Sequence, residues 1–210
     1  MDDLIEQRTD EWFLQRLGKV TASRVGDVLA KTKSGYSASR DNYMAQLVVE
    51  RISKVQTEFF TNSAMQWGID QEEFARAAYE SAKNVIVDEA GFAYHPRLGN
   101  AGASPDGYVG DYGLVEIKCP NTSTMIDTLL TENVPQKYFS QMQFQMACTK
   151  RDWCDYIVFD SRMPKNAQLF IKRIGRDDDF IEKMEREVEI FLVEVENKVN
   201  QIQLIIESKA

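Results

Sequence analysis

The sequence predicts a mixed α/β (α+β) fold, built as one domain over residues 1–210. Apolar residues recur at helical spacing as far as residue 83, short β-prone runs separated by Gly, Pro and Asp begin at residue 85, and helical spacing returns near residue 121. A chain of 210 residues with 43% hydrophobic and 28% charged residues can bury a core of its own. No internal repeat or Pro/Gly-rich linker divides it.

The N-terminal part of the chain is predicted to be mainly helical. Thr21 and Ser23 precede apolar residues that are three to four positions apart, which predicts a short capped helix. Residues 31–37 have the composition of a loop, and Ser39 can cap the helix that follows. The apolar stripe of that helix comprises Tyr43, Leu47, Val48, Ile52 and Val55.

A further helix is predicted over residues 64–83. Its apolar face comprises Phe74, Ala77, Ala78 and Tyr79. The acidic residues Glu72 and Glu73 lie off this face and could turn toward a cleft.

The second half of the chain is predicted to combine a meander of short strands with helices. The strands of the meander are predicted at 85–87, 91–94, 107–109 and 114–117. Helices follow at about 121–132 and 135–149, strands at 155–159 and 168–174, and a long last helix begins near Asp177. Its apolar stripe could pack along the core or a partner subunit and comprises Ile181, Met184, Val188, Phe191, Val195, Val199, Ile202 and Ile206.

Charge is distributed unevenly along the chain. The formal net charge is −8 at pH 7, yet residues 15–54 contain eight basic and three acidic residues, whereas residues 177–210 contain ten acidic and four basic residues. Because a phosphate backbone responds to local potential, the basic N-terminal region could face an anionic partner. The acidic last helix is typical of a solvated surface.

Several functional classes are disfavoured. No apolar run approaches the roughly 20 residues of a membrane helix, and the acidic N-terminus does not resemble a secretory signal, so we expect a cytoplasmic protein with no membrane partner. Cys119, Cys148 and Cys154 form no CxxC pair, which predicts reduced thiols rather than a disulfide framework or a zinc site. His95 is the only histidine and lies at a predicted turn, which argues against a metal role for it.

The most informative segment reads SPDG, GDYG and then LVEIKCP, and it predicts a β-hairpin. If the turn centres near residue 111, antiparallel pairing places Asp106 opposite Glu116. Side chains alternate along a strand, so Glu116 and Lys118 share one face while Ile117 points to the core. The sequence therefore predicts that two carboxylates and an amine lie on one wall.

The pair of Asp106 and Glu116 has the chemistry of a metal site. Neighbouring carboxylates repel unless a cation lies between them, and hard oxygen ligands suit Mg²⁺ or Mn²⁺. Such a centre can neutralise charge on a phosphodiester and activate water, with Lys118 polarising that water, which is nuclease chemistry. The same triplet pattern occurs at 196–198 and 207–209, but residues two apart on a helix face different directions. A surface hairpin with an ordinary salt bridge is the alternative interpretation.

Four sequence blocks together resemble the phage lambda exonuclease family of recombination nucleases, which carries the PD-(D/E)xK motif. The blocks are Trp12 with RLGKVTAS ending at Ser23, WGIDQE ending at Glu72, SPDG with LVEIKCP from Ser104 to Pro120, and YFSQMQ beginning at Tyr138. They lie within residues 8–165, in the family's order and at similar spacing. The resemblance implies a PD-(D/E)xK nuclease fold, with a central mixed β-sheet flanked by helices and a long C-terminal helix.

The resemblance also implies a metal site. Asp106 and Glu116 would bind Mg²⁺ with help from the carbonyl of Ile117, and Mn²⁺ could substitute. Lys118 would activate the attacking water. Glu72 would support a second ion, so that two ions occupy each active site.

Further roles follow from the same resemblance. Arg16 and Ser23 match residues that hold the terminal 5′-phosphate, and a guanidinium with a hydroxyl near a helix start is a good phosphate site in its own right. Tyr138 and Gln141 would line the active site and order water or metal ligands.

The function implied by the resemblance is a metal-dependent 5′→3′ exonuclease. It would digest one strand of linear double-stranded DNA, leave a 3′ overhang, and act as a homotrimeric ring with a single-strand annealing recombinase as partner, in the bacterial cytoplasm if the gene is a phage gene. Two alternatives stay open on the residues alone. One is a structure-specific or restriction-type endonuclease with the same metal site, and the other is a non-catalytic module that binds DNA ends.

Overall fold

A computed structural model describes residues 5–57 and 62–209 and shows a mixed α/β fold. The helices are α1 (Asp10–Arg16), α2 (Val25–Leu29), α3 (Ala38–Ser53), α4 (Ser63–Lys83), α5 (Thr122–Thr131), α6 (Gln136–Thr149) and α7 (Asp178–Glu207). The strands are β1 (Val20–Thr21), β2 (Lys31–Thr32), β3 (Gly35–Tyr36), β4 (Ala93–Tyr94), β5 (Ala101–Ala103), β6 (Gly107–Val109), β7 (Gly113–Lys118), β8 (Trp153–Phe159) and β9 (Leu169–Gly175). Within these residues, no helix combines the length and apolar character that crossing a bilayer requires.

The central sheet has the strand order β6-β7-β8-β9. β6 and β7 are antiparallel, β7 and β8 are parallel, and β8 and β9 are antiparallel. Parallel neighbours need a long crossover connection, which α5 and α6 provide here. Side chains alternate along β7, so Val115 and Ile117 join the core under α4, whereas Leu114 packs with residues of α5 and α6. The predicted central mixed sheet with flanking helices is therefore confirmed.

A second core lies between the helices and a smaller sheet. β5 pairs parallel with β1 and antiparallel with β4. The long helix α7 covers α2 and α3, and Phe191 of α7 stacks on Tyr43 of α3 with ring centroids 5.7 Å apart. The apolar stripe of α7 is buried as far as Val199. Ile202 and Ile206 are exposed, because the described elements that cover the stripe end before them.

Helix α4 covers one face of the central sheet through only part of the predicted apolar stripe. Ala75 and Tyr79, four residues apart, are fully buried. Phe74 is 60% exposed and Ala77 is also exposed, so the assignment of these two residues to the apolar face was wrong. Successive helical residues are about 100° apart, and the helix therefore presents Ala75 to the sheet and turns Phe74 away.

The N-terminal segment differs from its prediction in three local features. Residues 31–37 form a β2–β3 hairpin instead of a loop. The side chain of Thr21 makes no capping hydrogen bond, because the chain passes through a single 3₁₀ turn at Ala22–Arg24 before α2. The N-cap residue of α3 is Ser37 and not Ser39.

The predicted meander is also divided differently. Residues 85–87 form no strand, and the adjoining Asp88 makes only an isolated bridge to Tyr108. The run at 91–94 contributes β4, which belongs to the smaller sheet and not to the sheet of β6 and β7. Short β-prone runs do not specify their partners, since pairing depends on tertiary contacts.

Much of the basic N-terminal region is paired with the acidic last helix. Three ion pairs connect the two regions: Lys31 with Glu187 at 2.7 Å, Arg40 with Glu194 at 2.8 Å, and Arg51 with Glu196 at 3.0 Å. The expectation of a basic region free to face an anion is wrong for these three cations. They lie where α7 packs along α3 and the β2–β3 hairpin, so local charge is neutralised within the fold.

Candidate active site

The predicted hairpin has the predicted register. Gly107 pairs with Val115 and Tyr108 with Leu114, and continuation of this register sets Asp106 opposite Glu116. The backbone N–H of Asp106 donates to the carbonyl of Val115 at 3.2 Å, which extends the pairing to the carboxylate-bearing residue. Asp106, directly before the edge strand β6, therefore lies beside Glu116 of the neighbouring strand β7.

Glu116 is fully buried, and side chains from β7 and α6 engage both of its oxygens. Gln141 Nε2 donates to Oε1 at 2.7 Å, and Gln145 Nε2 donates to Oε2 at 2.6 Å. Lys118 Nζ forms an ion pair with Oε1. A buried carboxylate needs such partners, because an unpaired charge in a low-dielectric interior is costly.

Gln145 was not among the predicted site residues, although its spacing offered a signal. It lies four residues after Gln141 on α6, and residues four apart share a helix face. The carbonyl oxygen Oε1 of Gln145 is buried and accepts no hydrogen bond within the described residues. The corner around Glu116 therefore holds an additional hard oxygen atom.

Asp106 lies beside this network. Its Oδ2 accepts a hydrogen bond from the backbone N–H of Ile117 at 2.6 Å. Burial and the neighbouring carboxylate of Glu116 raise the pKa of Asp106 well above its ordinary range, and Glu72 adds to the effect. The two acids therefore repel each other as anions, and a cation between them would relieve the repulsion.

Lys118 faces the same corner and remains protonated. Burial opposes its charge, but the carboxylates of Glu116 and Asp106 outweigh burial and raise the pKa of Lys118. Its Nζ lies 5.1 Å from the ring centroid of Tyr138, which stacks in turn on Tyr156. Tyr138 is thus placed against the lysine, and it contacts neither of the two carboxylates through a described hydrogen bond.

Glu72 reaches the centre from α4. Its carboxylate forms an ion pair with Arg8 and lies 3.8 Å from Arg76, whose guanidinium donates to the main-chain oxygen of Asp106 at 2.9 Å. Glu73, the neighbouring acid, is exposed. The structure therefore places Glu72 beside Asp106, where its charge contributes to the raised pKa of Asp106.

The donor set fits a hard divalent ion that keeps several water ligands. Among residues 5–57 and 62–209, no three His, Cys, Asp or Glu side chains gather as a preformed metal cluster. The centre instead offers two repelling carboxylates with main-chain and amide oxygens nearby, which suits Mg²⁺ because Mg²⁺ binds through few carboxylates. Asp106, Glu116 and the carbonyl of Ile117 are the residues that would hold it.

A cleft with anion-binding groups adjoins this centre. Trp12 Nε1 donates to Ser104 Oγ at 2.9 Å, and Arg16 Nη1 donates to the same oxygen at 3.2 Å. Arg16 also lies 4.1 Å above the Trp12 ring, and burial lowers the pKa of Arg16 to about 10, which leaves it charged at neutral pH. Ser104 precedes Asp106 by two residues, so one short segment connects the cleft to the carboxylates.

Arg16 and Ser23 line one cavity of about 650 Å³, together with Trp12. Ser23 is exposed and lies on the 3₁₀ turn at Ala22–Arg24 that directly precedes α2, so it lies near a helix start as predicted. Ser104 was quoted in the sequence motif but was not predicted as a site residue. Its position within the motif and the contact with Arg16 identify it as part of the cleft.

Comparison with known sequences finds a family model that matches this chain. A profile of the YqaJ-like viral recombinase domain matches residues 11–152. An uncharacterized protein, R354, from Acanthamoeba polyphaga mimivirus is 27% identical over 170 residues, which cover 72% of this chain and 29% of that protein. The chain thus spans less than a third of the length of this relative.

Comparison with solved structures gives a closer match. The alkaline exonuclease LHK-Exo from Laribacter hongkongensis is 48% identical and covers 96% of this chain and 100% of its own, with a TM-score of 0.90, or 0.91 for its complex with dAMP. A phage-related exonuclease from Haemophilus somnus shares the fold at 16% identity and a TM-score of 0.72, covering 88% of this chain and 96% of its own. The resemblance inferred from the four sequence blocks is thereby confirmed.

Proposed function

Because this chain belongs to the YqaJ-like viral recombinase family and is a nuclease, we propose that it digests linear double-stranded DNA from a 5′-phosphorylated end. The products would be mononucleotides and a 3′ single-stranded overhang suited to single-strand annealing recombination. In this proposal residues 1–210 act as a single exonuclease domain. The reaction is phosphodiester hydrolysis, in which water attacks phosphorus and the 3′ oxygen of the terminal nucleotide leaves.

One observation carries the proposal. Asp106, Glu116 and Lys118 converge where the start of β6 meets the end of β7, and Ser104 joins this corner to the cation Arg16. A hydrolytic centre beside a phosphate-binding cleft is the arrangement that an enzyme acting at a 5′-phosphorylated end requires.

The side chains around Glu116 supply orientation and charge. When Mg²⁺ is bound by Asp106, Glu116 and the Ile117 carbonyl, with Glu72 supporting a second ion, the metal supplies charge neutralisation and a water of lowered pKa. Gln141 and Gln145 hold the Glu116 carboxylate in one orientation. The protonated amine of Lys118 places a positive charge beside the position of the reacting phosphate, where it stabilises developing negative charge.

The cleft supplies end recognition. Arg16 offers a guanidinium with several donors, and Ser23 and Ser104 add hydroxyl groups along the same path. A terminal phosphate carries more negative charge than an internal phosphodiester, so such a cleft favours an end over continuous duplex. Tyr138 shields Lys118 from one side.

A direct test compares an end-labelled linear duplex with a covalently closed circle of the same sequence. We expect Mg²⁺-dependent release of mononucleotides from the linear substrate, no reaction in EDTA, and no cutting of the circle. Mn²⁺ is expected to replace Mg²⁺. Cutting of closed circles at the rate of linear DNA would instead identify the endonuclease alternative, and wild-type protein that binds the duplex without digesting it in Mg²⁺ would identify a non-catalytic DNA-end module.

The proposal extends to assembly and partnership. We propose a homotrimeric ring around DNA, supported by the family resemblance and by exposed apolar side chains on the last turns of α7, which are Ile202, Leu204, Ile205 and Ile206. A ring would remain on its substrate by encirclement despite the chain's net charge of −8. Light scattering after gel filtration tests the trimer, and co-elution with a single-strand annealing recombinase tests the partner.

A further inference from the structure

Arg8 lies in an unusual and well-fixed backbone position at the edge of the cleft. Its φ is +71°, the left-handed region that non-glycine residues rarely adopt. The preceding Gln7 donates from Nε2 to the carbonyls of Ala90 at 2.7 Å and Pro105 at 2.8 Å. The following Thr9 caps α1 by accepting from the N–H of Trp12. Strained conformations that surrounding contacts maintain often mark functional positions.

The side chain of Arg8 is paired, but the pair is accessible. It contacts Glu72, and the two side chains are 48% and 24% exposed. Glu72 has a second cation nearby in Arg76, 3.8 Å away. Because exposed ion pairs contribute little and are screened by salt, the Arg8 guanidinium can leave Glu72 at small cost.

Arg8 also lines the cavity of about 650 Å³ that contains Trp12, Arg16 and Ser23. A guanidinium binds a phosphate group through two parallel hydrogen bonds, as it binds a carboxylate. Two anions therefore compete for Arg8. One is Glu72, and the other is a DNA phosphate that enters the cavity.

We propose that Arg8 is a DNA-positioning residue that exchanges partners, pairing with Glu72 in the free enzyme and with a backbone phosphate when DNA occupies the cavity. The inference rests on the proposed function and deepens it, because it assigns a second cation to DNA recognition. Glu72 is then the group that restrains Arg8 before DNA arrives. If Glu72 held a second divalent ion, its carboxylate would no longer be available to restrain Arg8, so metal and DNA binding would reinforce each other.

DNA affinity, measured by fluorescence anisotropy, tests the exchange without requiring turnover. The probe is a labelled 5′-phosphorylated duplex, titrated with the chain of residues 1–210 in Ca²⁺ and separately in EDTA. Arg8→Gln is expected to raise the Kd in Ca²⁺ about tenfold and to reduce the slope of log Kd against log salt concentration by about 1. Arg8→Lys should restore part of the affinity.

The pairing with Glu72 is tested by a double-variant comparison in EDTA. Glu72→Gln frees Arg8 and should lower the Kd about threefold, an effect that the Arg8→Gln/Glu72→Gln double variant should lose. Arg186→Gln is the matched control, because Arg186 forms a comparable exposed pair with Glu182 on α7. It should change neither the Kd nor the salt slope.

Two results would overturn the inference. One is a Kd of Arg8→Gln equal to that of the wild type in Ca²⁺, and the other is a gain from Glu72→Gln that persists in the double variant. Failure of the proposed function has a different signature, namely a wild-type protein that binds the duplex but does not digest it in Mg²⁺. A wild-type protein that binds no duplex in either buffer contradicts both.

Discussion

The proposed metal centre and the proposed phosphate cleft differ in how their polar groups are held. At the metal centre, Glu116 is fully buried on a sheet strand, and Gln141, Gln145 and Lys118 occupy its oxygens. In the cleft, Arg8 lies on a loop in an exposed ion pair, and Ser23 lies on a short turn. Glu116 is therefore held by a strand and by three partner side chains, whereas Arg8 has an accessible partner that it can exchange.

This difference matches the two tasks. Catalytic groups gain most from preorganisation, because charge that is already oriented costs no reorganisation in the transition state. Groups that admit a DNA end must exchange internal partners for phosphates. We therefore expect substitutions in the metal centre to lower turnover, and substitutions in the cleft to change substrate preference and affinity.

The largest effect is expected at Lys118. Lys118→Ala should lower the rate of duplex digestion roughly a hundredfold to a thousandfold, because it removes a positive charge preoriented beside the reacting phosphate. DNA affinity should change little. Digestion of end-labelled duplex and anisotropy with the same duplex measure the two quantities.

The control for Lys118 is Lys198→Ala, since Lys198 belongs to the same triplet pattern but lies exposed on α7. Its digestion rate should equal that of the wild type. Equal losses in the two variants would contradict the assignment of catalysis to the hairpin.

At Arg16 the expected effect is smaller and of a different kind. Arg16→Gln should reduce the preference for 5′-phosphate over 5′-hydroxyl ends about tenfold, because one charge-assisted hydrogen bond to the terminal phosphate is lost. The ratio of initial rates on the two substrates measures it. Arg186→Gln is the control, because Arg186 lies on α7 outside the cavity and pairs with Glu182. An unchanged ratio in Arg16→Gln would exclude Arg16 from end recognition.

Gln145 tests whether orientation of Glu116 matters. Gln145→Ala leaves one buried carboxylate oxygen with fewer donors and should cost about 1–3 kcal/mol in the free energy of unfolding. Turnover should fall about tenfold, as for other groups that orient metal ligands. Urea denaturation and digestion assays measure both effects, with Gln136→Ala on the exposed part of α6 as control. Wild-type turnover in a destabilised Gln145→Ala would assign the residue to stability alone.

The parts of the site that sequence could predict are those fixed by local geometry. The register of Asp106 and Glu116 follows from a short turn, and the shared face of Glu116 and Lys118 follows from strand alternation. The shared face of Tyr138 and Gln141 follows likewise from helical spacing, although only Gln141 contacts a carboxylate.

The remaining features depend on contacts distant in sequence. Arg8 and Glu72 are 64 residues apart, and their pairing requires the N-terminal segment to pack beside α4. Lys31 and Glu187 are 156 residues apart, and their pairing likewise requires α7 to pack against the β2–β3 hairpin. A count of charges along the chain cannot show which of them neutralise each other. The free positive charge of residues 15–54 was therefore overestimated.

The mildest effect is expected at His95, which is buried and belongs to neither region of the site. Its Nδ1 accepts hydrogen bonds from the backbone N–H groups of Arg97 and Leu98, and its Nε2 lies 2.9 Å from Glu185. An Nδ1 that accepts two bonds cannot carry a proton, so the ring is neutral and donates from Nε2 to Glu185. Burial, with the charge of Arg97, lowers the pKa of His95 to about 4.

A lowered pKa in the folded state sets the direction of the pH dependence. His95 takes up a proton near pH 6.5 in the unfolded chain and only near pH 4 in the folded protein. The free energy of unfolding is therefore independent of this proton above pH 6.5, and it decreases as the pH falls from 6.5 toward 4. Over that interval, wild-type protein should lose about 1 kcal/mol per pH unit more than His95→Asn, measured by urea denaturation at several pH values. Parallel stability curves would show that His95 takes up its proton without unfolding the core. Because His95 lies outside the metal centre and the cleft, the preference for 5′-phosphate ends should be the same in both proteins at neutral pH.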